Sequence, residues 1–454
     1  MMRGGGAAVV AAALAAAAFA WPVAASAERL REIVVLENTK TTAETVRYIA
    51  GVEEGQDWDD DRKVEVRTDL VSSGLFKQVD LYSEVLPRGG VRLTIVAVDK
   101  HSWAIAPTFY NQPTNKGGGL GFGENNLFGE NKKLLLYGQV ATGDSFFVGA
   151  YVDPSIRGTR LSWATDLFLR YERVLEYDAP KSLRDRVEPA RESKLMYLNG
   201  GAKLGITLFR SLTVEQRARA AKVAFYRTKL ADGRTEEAVG IAPGEAVPEP
   251  GAEGWDVSTE TIATFDRRAN WYGITRGARV RLSYEQGLTA LGSDFDYYYA
   301  TLGVDLAQRF FGRHNLILRA NLGYGDDLPF QQEYTSGGTT LRGYENKEFR
   351  GDFKAGGNLE YSVPIFTVRG VAVRGLAFVD SAYTRFLDDL EDNRFRHYLP
   401  GVGKGGLAPV RNAVGGGVRL YVRQIVLPLL GLDVGYGVET RGIEVYLAIG
   451  LGEF

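Results

Sequence analysis

The chain has 454 residues, no cysteine and three histidines, with 45% hydrophobic and 24% charged residues and a formal net charge of −2. Lack of cysteine removes disulfide frameworks, cysteine zinc sites and thiol nucleophiles. A near-neutral charge gives no electrostatic reason to expect a nucleic-acid partner.

Residues 1–27 read "MMRGGGAAVVAAALAAAAFAWPVAASA". A basic residue, Arg3, precedes an apolar run from Ala7 to Ala20. Pro22 breaks the run, and Ala25-Ser26-Ala27 is a small-x-small cleavage site. This is the layout of a secretory signal peptide, and it predicts an exported mature chain from Glu28. Beyond it no stretch reaches the about 18 unbroken apolar residues of a membrane helix. The mature chain is therefore either water-soluble or crosses a membrane on strands.

Residues 28–100 predict a small β-α-α-β-β domain. "LREIVVLEN" alternates as a strand. "TTAETVRYIAG" is a short helix with Thr41 or Thr42 as cap and Gly51 as stop. A second helix opens on an acidic turn, which suits the positive end of its dipole, and stops at Gly74. "KQVDLYSEV" and "VRLTIVAV" form a hairpin about "PRGG".

From residue 101 to residue 454 helical periodicity gives way to period-two alternation. About sixteen segments, many near ten residues, have the length of a tilted membrane strand. The alternation puts Leu302, Val304, Val373 and Leu447 toward lipid, and Asp305, Arg374 and Glu444 toward a lumen. Glu360 and Asp380 also fall on the lumen side. Aromatics such as Phe146, Phe147, Tyr171 and Tyr297 to Tyr299 fall near strand ends, as an interfacial girdle requires. Even-numbered connections are tight, while odd ones hold the long polar inserts 173–193, 227–256, 326–351 and 385–410. Short turns on one side and long loops on the other predict a closed antiparallel transmembrane β-barrel, because an open sheet edge is not tolerated in lipid.

Some motifs carry less. "GVGKGGL" (401–407) lacks Ser or Thr after Lys404 and any strand-helix context, so it reads as a loop tip rather than a phosphate loop. The histidines His101, His314 and His397 show no metal spacing. "DDLEDNR" (388–394) reads as a solvated charged loop. No nucleophile-base-acid set is evident, so the expectation is a non-enzyme without cofactor or metal.

Several segments in register resemble one family. The N-terminal domain, with Gly74-Leu75-Phe76 in "SSGLFKQVDLYSEV", resembles a single POTRA domain. "GGGLGFGENNLFGENKKL" resembles the opening barrel motif of BamA/TamA-type outer-membrane assembly factors, the bacterial surface antigen family. "TFDRRAN", containing Phe265, Asp266, Arg267 and Arg268, is similar to its central barrel motif. "GGTTLRGY", containing Leu341, Arg342, Gly343 and Tyr344, is similar to its long-loop motif. "NLEYSVPI" and "GLAFVDSAYT" are similar to the next two strands. The chain ends on an aromatic residue, Phe454, as outer-membrane barrels do.

The resemblance implies a protein that inserts or translocates polypeptides in the outer membrane of a Gram-negative bacterium, with the POTRA domain in the periplasm. Partners would be outer-membrane lipid and unfolded or extended polypeptides. Accessory periplasmic proteins are a further class, put in doubt by a single POTRA domain where family members carry two to five. The long loop would fold into the barrel, with Arg342 meeting Asp380 and Glu360. A passive outer-membrane channel, or a secretion pore dedicated to one partner protein, is the alternative.

Overall fold

The computed structural model describes residues 28–177, 184, 186–209, 211–236, 241–271, 273–387, 410–422 and 429–449. The leader, "DDLEDNR", "GVGKGGL" and Phe454 lie outside the described residues. No described helix is long and apolar enough to cross a membrane. The chain divides into two compact units, the first up to Ser102 together with the turn Phe128–Asn131, and the second comprising Trp103–Leu127 and the chain from Lys132 onward.

The first unit runs β1 (Glu28–Leu36), α1 (Ala43–Ala50), β2 (Asp57–Trp58), α2 (Asp60–Ser72), β3 (Phe76–Val85) and β4 (Val91–Asp99). The sheet order is β2-β1-β4-β3, with β1 parallel to β4 and β3 antiparallel to it. The two-residue β2 is too short to have left a periodic signal. Thr42 caps α1 by accepting the Thr45 N–H at 3.1 Å, and Asp59 caps α2 by accepting the Arg62 N–H at 2.7 Å. Gly74 follows α2 with φ +72°, a conformation that favours glycine. Leu75 and Phe76 then enter the apolar core with Val46, Val66, Leu70, Leu93 and Ile95.

The second unit is a closed antiparallel barrel of sixteen strands among the described residues. Its first eight are β5 (Trp103–Gln112), β6 (Asn115–Leu127), β7 (Lys132–Ala141), β8 (Asp144–Asp153), β9 (Leu161–Tyr177), β10 (Pro189–Phe209), β11 (Leu212–Leu230) and β12 (Gly254–Asp266). A short β13 (Ala269–Trp271) extends the hairpin into β14 (Ile274–Gly287), followed by β15 (Tyr298–Phe310) and β16 (His314–Asp326). Within the next connection lie two three-residue strands, β17 (Tyr334–Ser336) and β18 (Phe349–Gly351), which pair only with each other. The wall resumes with β19 (Phe353–Val368), β20 (Val371–Arg385), β21 (Arg411–Val422), β22 (Leu430–Gly437) and β23 (Ile443–Ile449). Closure is made by β23 on β5, through Leu447 with Asn111, Ala448 with Tyr110 and Ile449 with Phe109.

Three strands overrun the expected inserts. β9, β10 and β11 are 17, 21 and 19 residues long, so strand takes in both ends of 173–193, at 173–177 and 189–193, and the first four residues of 227–256. The charges there are paired: buried Arg191 donates to both oxygens of Glu176 at 2.5 and 2.7 Å. Alternation also divides the aromatics. Phe147, Tyr171 and Tyr298 are exposed on the outer face. Tyr297 and Tyr299 turn inward to carboxylates, and Phe146 packs on Tyr137 and Phe168, so these three are not part of a girdle.

Candidate functional site: a loop latched inside the barrel

The connection between β16 and β19 is a small hairpin. β17 and β18 pair Tyr334 with Gly351 and Ser336 with Phe349, which brings Leu341-Arg342-Gly343-Tyr344 to the tip. Leu341 is fully buried in a cluster with Tyr344, Phe349, Ala382 and Ala413. Arg342 is 5% exposed.

The Arg342 guanidinium grips two carboxylates. Nε and Nη2 donate to the two oxygens of Asp380 on β20, both at 2.8 Å, and Nη1 donates to Asp433 on β22 at 2.9 Å. The Arg342 backbone N–H also donates to Asp380, at 3.1 Å. A planar fork suits this two-sided grip, and an ammonium does not reproduce it. Arg419 on β21 closes the chain of charges by donating to Asp433 at 2.5 and 2.6 Å. Two acids alternate with two bases, so the local charge cancels. The guanidinium carbon lies 3.2 Å from the centroid of the Phe378 ring, in cation–π geometry.

Small residues make the room. Gly343 has φ +98°, and a Cβ there would overlap the backbone of Gly437. A Cβ on Gly435 would stand 2.7–2.8 Å from Arg342, and one on Gly415 would overlap the Phe378 ring. Asp433, Gly435 and Gly437 thus form the inward face of β22, an acid followed by a bare track on which the loop tip lies. The Gly343 N–H donates to the Tyr446 hydroxyl at 3.0 Å, and that hydroxyl donates to the Tyr344 carbonyl at 3.2 Å. The Tyr344 hydroxyl lies against the Glu439 carboxylate and the Asn412 carbonyl oxygen.

Glu360 is not a partner of Arg342. It is on the inward face, but its carboxylate stands 3.8 Å from Arg319. The register gives the reason. Asn358 lies opposite Asp380, whereas Glu360 lies opposite Phe378, two residues further along. That is about 7 Å of strand, and the Phe378 ring already occupies the level below the guanidinium. Asn358 instead donates to Asp380 at 2.6 Å.

The central motif sits elsewhere on the wall. Phe265 is exposed on the outer face. Arg268 bridges Asp266 and Asp305 at 2.9 and 3.0 Å. Arg267 is exposed, and its backbone N–H donates to the Ala278 carbonyl at 2.9 Å.

A second anchor holds the start of the loop. Arg219 donates to Asp256 at 3.1 Å and to Ser258 at 2.9 Å, and also binds Glu285. Tyr297 donates to Asp256 at 2.9 Å and Tyr299 to Glu285 at 2.5 Å. Into this cluster the loop inserts Gln332, which donates to Asp256 at 3.1 Å. Phe330 packs edge-on against Phe225 at 5.5 Å. A third tie joins Lys347 to Glu172 of β9. Sequence reasoning did not find these residues. Asp433 carried a usable signal: a lone carboxylate on the lumen parity of "GLDVGYG", followed by two glycines on the same face.

A family model described as the Omp85 superfamily domain matches residues 126–436. The chain belongs to the Omp85 superfamily. Solved structures agree at the level of fold. This Omp85 chain resembles BamA from Haemophilus ducreyi lacking POTRA domains 1–3, with TM-score 0.60 and 15% identity over 93% of this chain and 84% of that one. It resembles CdiB from Acinetobacter baumannii with TM-score 0.63 and 13% identity, covering 94% of this chain and 74% of that one. CdiB from Escherichia coli gives TM-score 0.63 and 12% identity, over 93% and 76%. No curated protein sequence matches the chain.

Proposed function

We propose that this Omp85 protein inserts or translocates polypeptides at the outer membrane of a Gram-negative bacterium. The small sheet unit is read as a periplasmic POTRA domain that receives extended substrate, and the latched loop as the gate of the barrel. The observation that carries this reading is the loop tip bound to β20, β22 and β23 through Arg342, Gly343 and Tyr344. A passive channel gains nothing from a plug held by so many directed bonds. The β3 edge supports the other half: β3 pairs with β4 on one side only, leaving a row of backbone groups for a substrate strand.

The test is genetic replacement in the native host, with outer-membrane and secreted proteins quantified. Loss of particular barrel proteins from the membrane indicates insertion, and loss of one protein from the medium indicates secretion. Neither the Arg342→Ala variant nor a chain lacking residues 28–100 is expected to restore the missing proteins. Full restoration by the chain lacking 28–100 would leave the channel reading in place.

A further inference from the structure

The hairpin that joins β12 to β14 leaves the wall before it turns. β14 pairs with β15 only from Gly277 onward, opposite Ala307, whereas β15 pairs with β16 as far as Phe310 and His314. β12 pairs with β14 up to Asp266 and Arg279. The remaining rungs, from Ala269 with Arg276 to Trp271 with Ile274, form a separate small ladder. The central motif builds the elbow between the two ladders. Gly277 has φ +112°, and a Cβ there would overlap the Arg267 carbonyl, so only glycine allows so sharp a bend. The Arg267 N–H donates to the Ala278 carbonyl at 2.9 Å, and Arg268 is held between Asp266 and Asp305.

The bend carries the tip into the barrel. Asn315 on β16 is fully buried and shares the inward parity of Arg319. Its side-chain oxygen accepts the Thr275 N–H at 2.9 Å, and its amide donates to the Thr275 and Gln308 carbonyls at 2.7 and 2.9 Å. Further out, Gly273 lies so close to the Tyr421 ring that a Cβ would overlap it. Tyr421 is on β21, on the same inward parity as Arg419, which binds the lumen acid Asp433. Between β14 and β21 the wall runs through β15, β16, β19 and β20. A hairpin rooted in β14 that reaches Tyr421 therefore crosses lumen. Gly273 and Ile274 are buried there. Asn315 and Tyr421 each stand one residue from a strand end, at the short-turn rim, opposite the end from which the latched loop enters.

We propose that residues 267–277 form a strap across the short-turn mouth of the barrel, a second constriction in series with the latched loop, whose release opens that mouth. Asn315 and Tyr421 are its fastenings and Gly277 its elbow. The fastenings are neutral hydrogen bonds and a ring contact, whereas the loop tip is tied by charge-assisted bonds, so the strap is the more readily released of the two.

The test exploits the absence of cysteine from the chain. Arg281 lies on the inward face of β14, between the elbow and the Glu285 anchor of the loop, and its side chain is 43% exposed. Arg281→Cys therefore places a single thiol between the two constrictions. The full chain carrying it is reconstituted in a planar bilayer, and a charged, membrane-impermeant methanethiosulfonate reagent is added to one side at a time. Asn315→Ala should speed labelling from the short-turn side about tenfold, the shift expected when a hydrogen-bonded anchor is lost. Tyr421→Ala and Gly277→Ala, which remove the ring and block the elbow, should act in the same direction. Tyr421→Phe keeps the ring and should label as the parent does. Arg342→Ala should speed labelling from the long-loop side alone. Heat-modifiable migration confirms that each variant is folded. Parental rates from the short-turn side in the folded variants overturn the proposal. So does a parent chain that labels from that side as fast as the unfolded chain. The measurement needs no substrate, so its failure is distinct from failure of the insertion reading.

Discussion

The two units of the chain are filled by opposite materials. The core of the N-terminal sheet unit is a cluster of apolar side chains such as Leu70, Leu93 and Ile95, each 0% exposed. The barrel interior instead buries Arg191, Arg219, Arg342, Arg350, Arg374 and Arg419, with acids and tyrosines set against most of them. An apolar core is non-directional and tolerates neighbours of similar volume. A charged interior depends on pairs, and loses most when one member is removed and the other stays buried. The barrel wall needs neither kind of core, because its strands are held by their own ladder. What the charged interior holds is the loop.

The largest effect should come from breaking that pairing. Arg342→Ala strips Asp380 of its charged partner and leaves it the Asn358 amide and the backbone N–H of residue 342, whereas Asp433 keeps Arg419. Removing one partner of a buried pair costs about 3–5 kcal/mol, here against loop docking rather than barrel folding. Single-channel recordings should show larger, noisier currents, with heat-modifiable migration unchanged. Arg342→Lys should be an incomplete rescue, and adding Asp380→Ala to Arg342→Ala should cost little more than the worse single change. A quiet, narrow Arg342→Ala channel would break the comparison at its centre.

Next comes the apolar core. Leu93→Ala should destabilise the sheet unit by about 2–5 kcal/mol, and limited proteolysis of the full chain should then cut within residues 28–100 while the barrel resists. Cleavage unchanged from wild type would mean that the unit is not held by the core described.

The same contrast explains what the sequence made legible. Period-two alternation is local, so the sixteen strands, their faces and the inward side of Asp380 can be read one segment at a time. Pairing across a lumen is not local. Arg219 meets residues from β12, β14 and the connection before β15 and, through Asp256, the loop, and no single segment announces that meeting. Glu360 shows the same limit at finer scale. Its inward parity is legible, but whether Arg342 sits at its level or two residues away depends on the height at which the loop docks. That height is set by Phe378, Gly415 and Gly435, which read only as a phenylalanine and two glycines. The long β9 and β10 hid behind their charges, because Glu176 and Arg191 look like loop residues until they are seen paired.

A smaller effect is a pH dependence. Glu348, carried by the loop, is 4% exposed, and burial together with the nearby Glu345 charge pushes its carboxyl up to about 7. In an undocked loop it would titrate at the usual carboxylate value. Docking is therefore unpenalised at acidic pH and weakens as pH rises from about 4.5 toward 7, with no further loss above, amounting to roughly 1–3 kcal/mol. Channel noise should rise over that window, and Glu348→Gln should flatten the profile. A step that persists in Glu348→Gln belongs to another group.

The smallest expected effect sharpens the comparison most, because it separates inward-facing from pairing. Glu360 and Asp380 are both acids on the lumen face, on adjacent strands. Asp380 is 1% exposed and receives Arg342, while Glu360 stands 3.8 Å from an Arg319 side chain that is 47% exposed. A contact that open is screened, and such pairs contribute about 0–1 kcal/mol. Glu360→Gln also keeps the side-chain shape and leaves no charge buried alone, since Arg319 still donates to Asn358 at 2.7 Å. Glu360→Gln should therefore leave loop docking, channel noise and substrate assembly at wild-type levels, while Asp380→Asn disturbs all three. If the two variants fail alike, the lumen acids act as a shared field rather than through a specific pair, and the latch at Arg342 loses its special standing.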